Sequence, residues 1–231
     1  MIGVFDYTVV LTYMSMMSAM FGIIITTQGE GHPFIGMFCL LVSGFCDAFD
    51  GKVARTKANR SNLEKEFGVQ IDSMADLLAF GVLPACLGIE MLRKSVRYTD
   101  VIVRSEISGK LEWYPIILKA IALLYVLAAL VRLAYFNSTE EERAKEKEIY
   151  GSECYTGLPV TAAALVMPMI LIIDYFTKVD LSMLYFAMLL VLAILFVTRF
   201  KLRKPSTKVV LIMIGIGAVE FGLLAIRFFH R

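Results

Sequence analysis

Four aspartates in the first third of the sequence form two closely spaced pairs: Asp47 with Asp50, and Asp72 with Asp76. Apolar runs without any charge flank them at 33–46 and 77–89. A carboxylate held at bilayer depth costs roughly 2.5–3.5 kcal/mol on insertion scales unless something compensates its charge. Four such groups close together therefore predict a strong compensating ligand.

The spacing of these aspartates indicates what that ligand is. On helices, Asp47 and Asp50 lie at i and i+3 and share one face, and Asp72 and Asp76 lie at i and i+4 and share another. Two antiparallel helices joined by a short basic hairpin would bring the pairs together. Like charges this close stay ionised only when a cation lies between them. A carboxylate-rich, all-oxygen cluster favours Mg²⁺, Mn²⁺ or Ca²⁺ over zinc.

Two residues next to the first pair indicate a phosphate-bearing substrate. Gly51 removes a side chain where the backbone has to approach a ligand, and Arg55 offers a planar fork of donors that matches phosphate oxygens. A single intramembrane aspartate is as readily explained as a helix cap or as half of a structural ion pair. The whole ordered set favours a functional site, because ionisable residues inside a membrane are functional candidates by default.

Together these residues form the motif D-x-x-D-G-x-x-A-R…G-x-x-x-D-x-x-x-D, which runs from Asp47 to Asp76. At every fixed position the sequence resembles the signature of the CDP-alcohol phosphotransferases. The gap between Arg55 and Gly68 is a little longer than the common form, which concerns the shape of the loop rather than the chemistry.

The resemblance implies a role for each residue at a motif position. Three aspartates would hold divalent metal ions, Mg²⁺ or Mn²⁺, on the diphosphate of a CDP-linked lipid: Asp47, Asp50 and Asp72. Asp76 would lie at or beside the metal site, as a fourth candidate ligand, and would serve as the general base. The cytidine diphosphate would be bound by Asp47 together with Gly51, Ala54, Arg55 and Gly68.

Three flanking stretches resemble one branch of the family, the integral-membrane phosphatidylserine synthases: 79–85, 132–137 and 157–159. This resemblance implies transfer of the phosphatidyl group of CDP-diacylglycerol to the hydroxyl of L-serine, with release of CMP. Arg132 and Asn137 are then candidates for binding the acceptor, Arg132 through a bidentate contact with a carboxylate. Arg132 is equally well explained as a snorkelling or positive-inside arginine.

Other interpretations stay open at the level of sequence. The same chemistry could use another acceptor or donor, such as glycerol 3-phosphate, an inositol phosphate or an ether-lipid CDP donor. From a different class, the aspartates could form the ion site of a divalent-cation transporter, although a transport path usually repeats its polar residues across the membrane. A catalytically silent scaffold is disfavoured by the intact motif.

The composition places the chain among membrane proteins. Hydrophobic residues make up 58% of its 231 residues, and the mean hydropathy is +0.70. The formal net charge of +2 gives no reason to expect a nucleic-acid partner. The four cysteines show no C-x-x-C spacing and predict neither a disulfide framework nor a zinc site.

The apolar periodicity predicts an all-α polytopic transmembrane bundle that forms a single domain over 1–231. Its core would be the six helices usual in the family, with the motif helices at 33–92 and an additional C-terminal span. The predicted spans are 7–27, 34 to the motif at 47–55, 68–91, 115–136, 157–176, 181–200 and 208–229.

Basic residues predict the orientation of these spans. Fourteen of the 23 lysines and arginines fall in the set of loops that includes the 47–76 hairpin, and basic loops face the cytoplasm. The sequence therefore predicts a multi-pass protein of the cell membrane with its active site at the cytoplasmic face, in contact with membrane lipid. The family resemblance implies a homodimer, and small residues in several spans permit close helix packing.

Overall fold

The computed structural model describes residues 3–28, 31–95, 99–101, 113–139, 154–177 and 179–203, together with Gly215, Val219 and Gly222. The elements with defined bounds follow in chain order: α1 Val10–Thr27, α2 Pro33–Ala54, α3 Asn62–Asp76, α4 Leu83–Lys94, α5 Trp113–Ser138, β1 Cys154–Thr156, α6 Ala163–Thr177, α7 Ser182–Val197 and β2 Lys201–Arg203. Short 3₁₀ turns precede α1 and α6 at Tyr7–Val9 and Val160–Ala162. A π-helical segment, Leu77–Val82, joins α3 to α4 without a break.

Five helical stretches are long and apolar enough to cross a membrane: Tyr7–Thr27, Pro33–Ala54, Asn62–Lys94, Trp113–Ser138 and Val160–Thr177. A sixth, α7, is apolar but has only 16 residues. The prediction of an all-α polytopic bundle is therefore confirmed. The predicted seventh span, 208–229, lies outside the described residues except for the three helical residues Gly215, Val219 and Gly222.

Small residues bring α1 and α2 into close contact. The buried positions of α1 follow a spacing of three and four residues, at Thr12, Ser15, Ala19, Gly22 and Thr26. Ser15 and Ser43 exchange hydrogen bonds between each hydroxyl and the other backbone carbonyl, at 3.4 and 3.0 Å. Small residues and interhelical hydrogen bonds are what hold helices together in lipid. This packing fixes α2, and with it Asp47 and Asp50, against α1.

The helix that carries the second aspartate pair begins earlier than its apolar pattern predicts. The third span was expected to begin at Gly68, whereas α3 begins at Asn62. Ser61 and Glu64 form a capping box: the Ser61 hydroxyl accepts from the Glu64 amide at 3.2 Å, and the Ser61 amide donates to the Glu64 carboxylate at 2.8 Å. Gly68 therefore lies inside a regular helix, one turn before Asp72.

The helix changes from α to π geometry directly after Asp76. The residues Leu77–Val82 form a π-helix, a feature that is rare and occurs frequently at functional sites. Two buried tyrosines from other helices support this stretch. The Tyr125 hydroxyl donates to the Phe80 carbonyl, and the Tyr185 hydroxyl donates to the Pro84 carbonyl at 2.9 Å. Both tyrosine side chains are fully buried, so these carbonyls are satisfied without water.

Replacing Tyr125 with phenylalanine is expected to destabilise the bundle by about 1–3 kcal/mol, since the Phe80 carbonyl would lose its partner in a dry interior. Thermal unfolding in detergent should show a clear loss for this variant. Tyr135→Phe removes the hydroxyl of a ring that is 37% exposed, and it should leave the midpoint unchanged. Equal midpoints for the two variants would show that the Tyr125 hydroxyl does not support the π-helix.

A short strand pair, which the sequence did not predict, closes one end of the bundle. β1 pairs with β2 in antiparallel register, with Tyr155 opposite Leu202. Gly157 follows β1 with φ of +80°, a left-handed conformation that favours glycine, and its amide donates to the Phe200 carbonyl at 2.8 Å. The pair ties the segment before α6 to the segment after α7.

Candidate active site

The two helices bring the motif aspartates together. One carboxylate oxygen each of Asp47, Asp50 and Asp72 lies within 4.8 Å of the others. Asp50 and Asp76 are largely buried, at 8% and 9% exposure. The i, i+3 and i, i+4 spacings thus place both pairs toward the same space between α2 and α3, as the sequence predicted.

Contacts within this cluster run between the two helices. The Asp50 carboxyl contacts that of Asp72, and the Asp47 carboxyl contacts that of Asp76. Thr12 on α1 adds a neutral donor, with its hydroxyl 3.1 Å from Asp50 Oδ2. Two carboxyl groups approach this closely only when one carries a proton or a cation lies between them.

No cationic side chain of the described residues forms an ion pair with the cluster. The ion pairs among the described residues involve Asp6, Glu64 and Glu90, and none involves the four motif aspartates. Buried carboxylates without a partner are strongly unfavourable. The donor set, three carboxylates with oxygens in mutual reach, fits a hard divalent cation such as Mg²⁺ or Mn²⁺.

The other motif residues lie toward the end of the two helices where the chain turns from α2 into α3. This connecting segment, residues 55–61, is called the hinge below. Ala54 ends α2, and the exposed Arg55 folds back so that its Nε donates to the Gly51 carbonyl at 2.9 Å. A Cβ built on Gly51 would meet only the Arg55 guanidinium, at 3.5 Å, so the backbone there is open. Gly68 is different, because the Arg60 guanidinium already lies against it.

The helix α5 brings Asn137 to the same region. Asn137 Nδ2 donates to the Ser73 hydroxyl at 2.8 Å, next to Asp72 in sequence. A Cβ on Gly81 would lie 3.3 Å from Ala129, and the two contacts fit one antiparallel register between α5 and the α3–α4 helix. In that register Arg132 and Asp76 lie at nearly the same height along the helix axes. Their heights differ by roughly 3 Å, which is two residues at a rise of 1.5 Å each.

Arg132 is held in place by a backbone contact. Its side chain is 6% exposed, its Nε donates to the Leu158 carbonyl at 3.1 Å, and its guanidinium lies 5.4 Å from the centre of the Phe136 ring. A snorkelling arginine would extend to water. The interpretation of Arg132 as snorkelling is therefore wrong, and Arg132 belongs to the interior of the bundle.

The hinge between α2 and α3 is tied to the N-terminal segment. Lys57 Nζ lies 2.6 Å from Asp6 and 2.8 Å from Glu64, and the Thr56 hydroxyl donates to the Tyr7 hydroxyl at 3.3 Å. The hydrogen bond from Lys57 holds the pKa of Asp6 below its ordinary value of 3.8. The hydrogen bonds to Asp6 and Glu64 raise the pKa of Lys57 above 10.5.

These shifts set the pH range in which the N-terminal segment stays attached. Asp6, whose pKa is lowered, stabilises the attachment above pH 3.8, and this stabilisation is lost as the pH falls through the lowered pKa. Lys57, whose pKa is raised, stabilises the attachment below pH 10.5, and this stabilisation is lost as the pH rises through the raised pKa. Between pH 5 and 9, Asp6→Asn is expected to speed amide hydrogen exchange in residues 3–9 by a few-fold, about what an exposed ion pair supplies.

The ratio of variant to wild-type exchange rates should fall to one only when the pH has dropped through the lowered pKa of Asp6, which lies below 3.8, because wild-type Asp6 is then protonated as well. Asp100→Asn changes an exposed carboxylate elsewhere and serves as the control. A ratio that stays above one at acid pH would mean that the charge of Asp6 does not hold the segment.

The sequence profile of the CDP-alcohol phosphatidyltransferase family matches residues 7–210. That range contains the aspartate cluster, the five helical stretches that are long enough to cross a membrane, and α7. The chain belongs to this family, and the resemblance drawn from the motif is confirmed.

Individual relatives carry more specific names. The chain is 33% identical over 146 residues to a CDP-diacylglycerol–serine O-phosphatidyltransferase of Saccharomyces cerevisiae, and 26% identical over 196 residues to a protein of the same name from Helicobacter pylori. It is 26% identical over 175 residues to an archaetidylserine synthase of Methanothermobacter thermautotrophicus. The alignments cover 62%, 83% and 75% of this chain, and 44%, 69% and 62% of the respective relatives. The chain thus matches less than half of the yeast protein's length.

Three residues near the site were not predicted from the sequence: Thr12, Arg60 and Ser73. Thr12 belongs to the stripe of small and polar residues on α1, which was a readable signal of a packed helix face. Ser73 lies next to Asp72 in sequence, but it is not a motif position. Arg60 is one of several basic residues in the loop between α2 and α3, and no pattern in the sequence indicates that it folds back onto α3.

Proposed function

We propose that the chain transfers the phosphatidyl group of CDP-diacylglycerol to the hydroxyl of L-serine and releases CMP. The observation that carries this proposal is the mutual approach of the Asp47, Asp50 and Asp72 carboxylates within 4.8 Å, in a chain of the CDP-alcohol phosphatidyltransferase family. The names of the relatives from yeast and Helicobacter pylori support serine as the acceptor.

In this proposal Asp47, Asp50 and Asp72 hold one or more divalent ions, Mg²⁺ or Mn²⁺. A bound ion of this kind supplies Lewis-acid stabilisation of the charge that develops on the leaving diphosphate oxygen. Thr12 orients Asp50 through its hydroxyl, so that the carboxylate keeps its other oxygen available. This support comes from α1 and depends on the packing of α1 against α2.

Asp76 serves as the general base. It is buried and contacts Asp47, so it can lie beside the bound ion while still accepting a proton. The carboxylate takes the proton of the acceptor hydroxyl, the acceptor oxygen forms a bond to the lipid-linked phosphorus, and the bond from that phosphorus to the CMP oxygen breaks. Ligand and base are thus divided between neighbouring carboxylates with different surroundings.

The hinge end of the site binds the cytidine diphosphate. Gly51 is open to an approaching phosphate, Ala54 keeps the end of α2 free of a bulky side chain, and Arg55 lies beside Gly51 with its outer guanidinium nitrogens at the surface. Asp47 and Gly68 complete the set that the motif supplies. A guanidinium pairs with phosphate oxygens through charge-assisted hydrogen bonds.

Arg132 and Asn137 are the proposed acceptor-binding residues. Arg132 is buried near the depth of Asp76 on the axis of the adjoining helix, and Asn137 contacts Ser73 beside Asp72. A buried arginine matches the carboxylate of serine, which glycerol 3-phosphate lacks, through paired hydrogen bonds. This placement would orient the serine hydroxyl toward Asp76.

The protein is a multi-pass membrane protein, and its location in the cell membrane with the site at the cytoplasmic face is part of the proposal. The basic residues of the hinge, among them Lys52, Arg55 and Lys57, support that orientation. We also propose that the chain folds as one domain over 1–231 and assembles as a homodimer.

The test is CMP release by the purified chain in detergent, with CDP-diacylglycerol and either Mg²⁺ or Mn²⁺. L-serine, glycerol 3-phosphate, inositol phosphate and a blank without acceptor are compared, and a chelator is added to a parallel set. Release that needs both serine and the metal supports the proposal. Release with another acceptor would replace serine but keep the chemistry, and no release with any acceptor would overturn the transferase proposal.

A further inference from the structure

We propose that Arg60 is a phosphate-binding residue of the nucleotide site, seated over Gly68 to meet the diphosphate of the CDP-linked lipid. Arg60 lies outside the motif, in the hinge between α2 and α3. The inference rests on the proposed function, because the ligand class, a nucleoside diphosphate, comes from it.

Arg60 precedes α3, and its side chain lies along the face of α3 that carries Asp72 and Asp76. Gly68, Asp72 and Asp76 follow one another at intervals of four residues and therefore share one helix face. The Arg60 side chain runs back along that face, with Nη2 donating to the Glu64 carbonyl at 3.0 Å. The guanidinium thus lies about one helical turn, roughly 6 Å along the axis, from the level of Asp72.

A glycine makes room for this arginine. A Cβ built on Gly68 would lie 2.8 Å from Arg60 Nη2, closer than real Cβ contacts, so an alanine there would force the guanidinium to move. The family resemblance implies that Gly68 contacts the nucleotide directly. The structure instead fills the space over Gly68 with a cation, which indicates that the glycine acts by seating Arg60.

One donor of this guanidinium has no hydrogen-bond partner among the described residues. Arg60 Nε is buried and makes no hydrogen bond to any of the residues that the structure describes. A buried donor without an acceptor is unfavourable, and native proteins retain few of them. Arg60 forms no ion pair with Asp72 or Asp76 in the described chain, so its role is not to neutralise the cluster.

Position and donor geometry together indicate an anionic oxygen ligand. A diphosphate bound near four carboxylates meets like charge at the cluster, and a cation at the hinge side of that cluster opposes the repulsion. The guanidinium of arginine pairs with phosphate oxygens through charge-assisted hydrogen bonds. Arg55 and Arg60 would then contact the diphosphate from α2 and α3 respectively.

The test compares Arg60→Gln with Lys65→Gln, which removes the same charge from an exposed position on the same helix. Loss of a charge-assisted hydrogen bond is expected to raise the KM for CDP-diacylglycerol roughly tenfold in Arg60→Gln, with kcat within about twofold of wild type. Equilibrium binding of CDP in the presence of Mg²⁺ should weaken by a similar factor. Lys65→Gln should leave both quantities at the wild-type values.

Arg60→Lys is the second variant, because it keeps the charge and the packing over Gly68 but lacks the planar fork. It should fall between wild type and Arg60→Gln in CDP binding, and it decides the matter if Arg60→Gln unfolds at a lower temperature than Lys65→Gln. Wild-type binding of CDP by Arg60→Lys in a folded protein, or identical KM values for Arg60→Gln and Lys65→Gln, would overturn the proposal.

Gly68→Ala tests the seating of the arginine. If Gly68 acts by seating Arg60, the loss of CDP affinity caused by Gly68→Ala should shrink when Arg60 is already glutamine, since two contacting residues are not additive. Full additivity would contradict the proposed geometry. A wild-type chain that releases no CMP would refute the transferase itself, whereas an active wild type with unchanged Arg60 variants would refute this inference alone.

Discussion

Asp76→Asn is expected to lower kcat for CMP release by about 10²–10⁴-fold, the range that positioned general bases supply. The asparagine keeps the size and the hydrogen-bonding reach of the side chain but cannot accept the proton of the serine hydroxyl. Asp76 is buried at 9% exposure in contact with Asp47, so water would not easily replace it as the proton acceptor. The decrease should be seen at saturating serine and saturating Mg²⁺.

Two measurements distinguish loss of the base from loss of the site. Binding of CDP in the presence of Mg²⁺ should stay near the wild-type affinity, because the proposed ligands Asp47, Asp50 and Asp72 are untouched. The metal concentration that gives half-maximal activity should also stay within a few-fold of wild type. A variant with normal kcat and a raised metal requirement would show that Asp76 is a ligand rather than the base.

The positions of the motif carboxylates could be predicted because helical geometry is local. Spacings of three and four residues decide which side chains share a face, and the high cost of a charge in lipid indicates that the faces meet. Asp47, Asp50 and Asp72 accordingly come together as the motif predicts. The all-α bundle follows from the same apolar periodicity, which determines the described spans to within a few residues except at α3, which begins six residues earlier, at Asn62.

The supporting contacts could not be predicted because they depend on how helices slide past each other. Whether Thr12 or Ser15 of α1 faces Asp50 depends on the relative shift of α1 and α2, which the sequence of neither helix contains. The π-helix after Asp76 depends on partners far away in sequence, with Tyr125 donating to Phe80 across 45 positions. Local patterns carry no record of such a donor.

Arg60 shows both what a local sequence pattern predicts and what it does not. Its hinge was predicted to be short and basic, and it is, but a charged loop residue is ordinarily solvated. In the structure α3 begins directly after Ser61, and Arg60 lies along its first turn with Nη2 on the Glu64 carbonyl. Gly68 is a position of the motif, but no pattern in the sequence indicates that Arg60 packs against it.

Asp72→Asn is the second large effect, and it should differ in kind from that of Asp76→Asn. Asp72 is the one member of the three-carboxylate group that α3 contributes, so its loss would leave the ion held by α2 alone. The metal concentration for half-maximal activity is expected to rise by at least about 10–100-fold, the range found when only the outer-shell partners of a metal site are removed. Asp72 also contacts Asp50, so residual activity at saturating metal should fall as well.

Titration of Mn²⁺ or Mg²⁺ against CMP release measures the shift, and direct binding of Mn²⁺ followed by electron paramagnetic resonance gives a readout that needs no turnover. Glu66→Gln removes an exposed carboxylate from the same helix and should leave the titration where it is in wild type. If Asp72→Asn and Asp76→Asn gave the same metal titration and the same kcat, the division into ligand and base would be wrong. The four aspartates would then act as one unit that shares both roles.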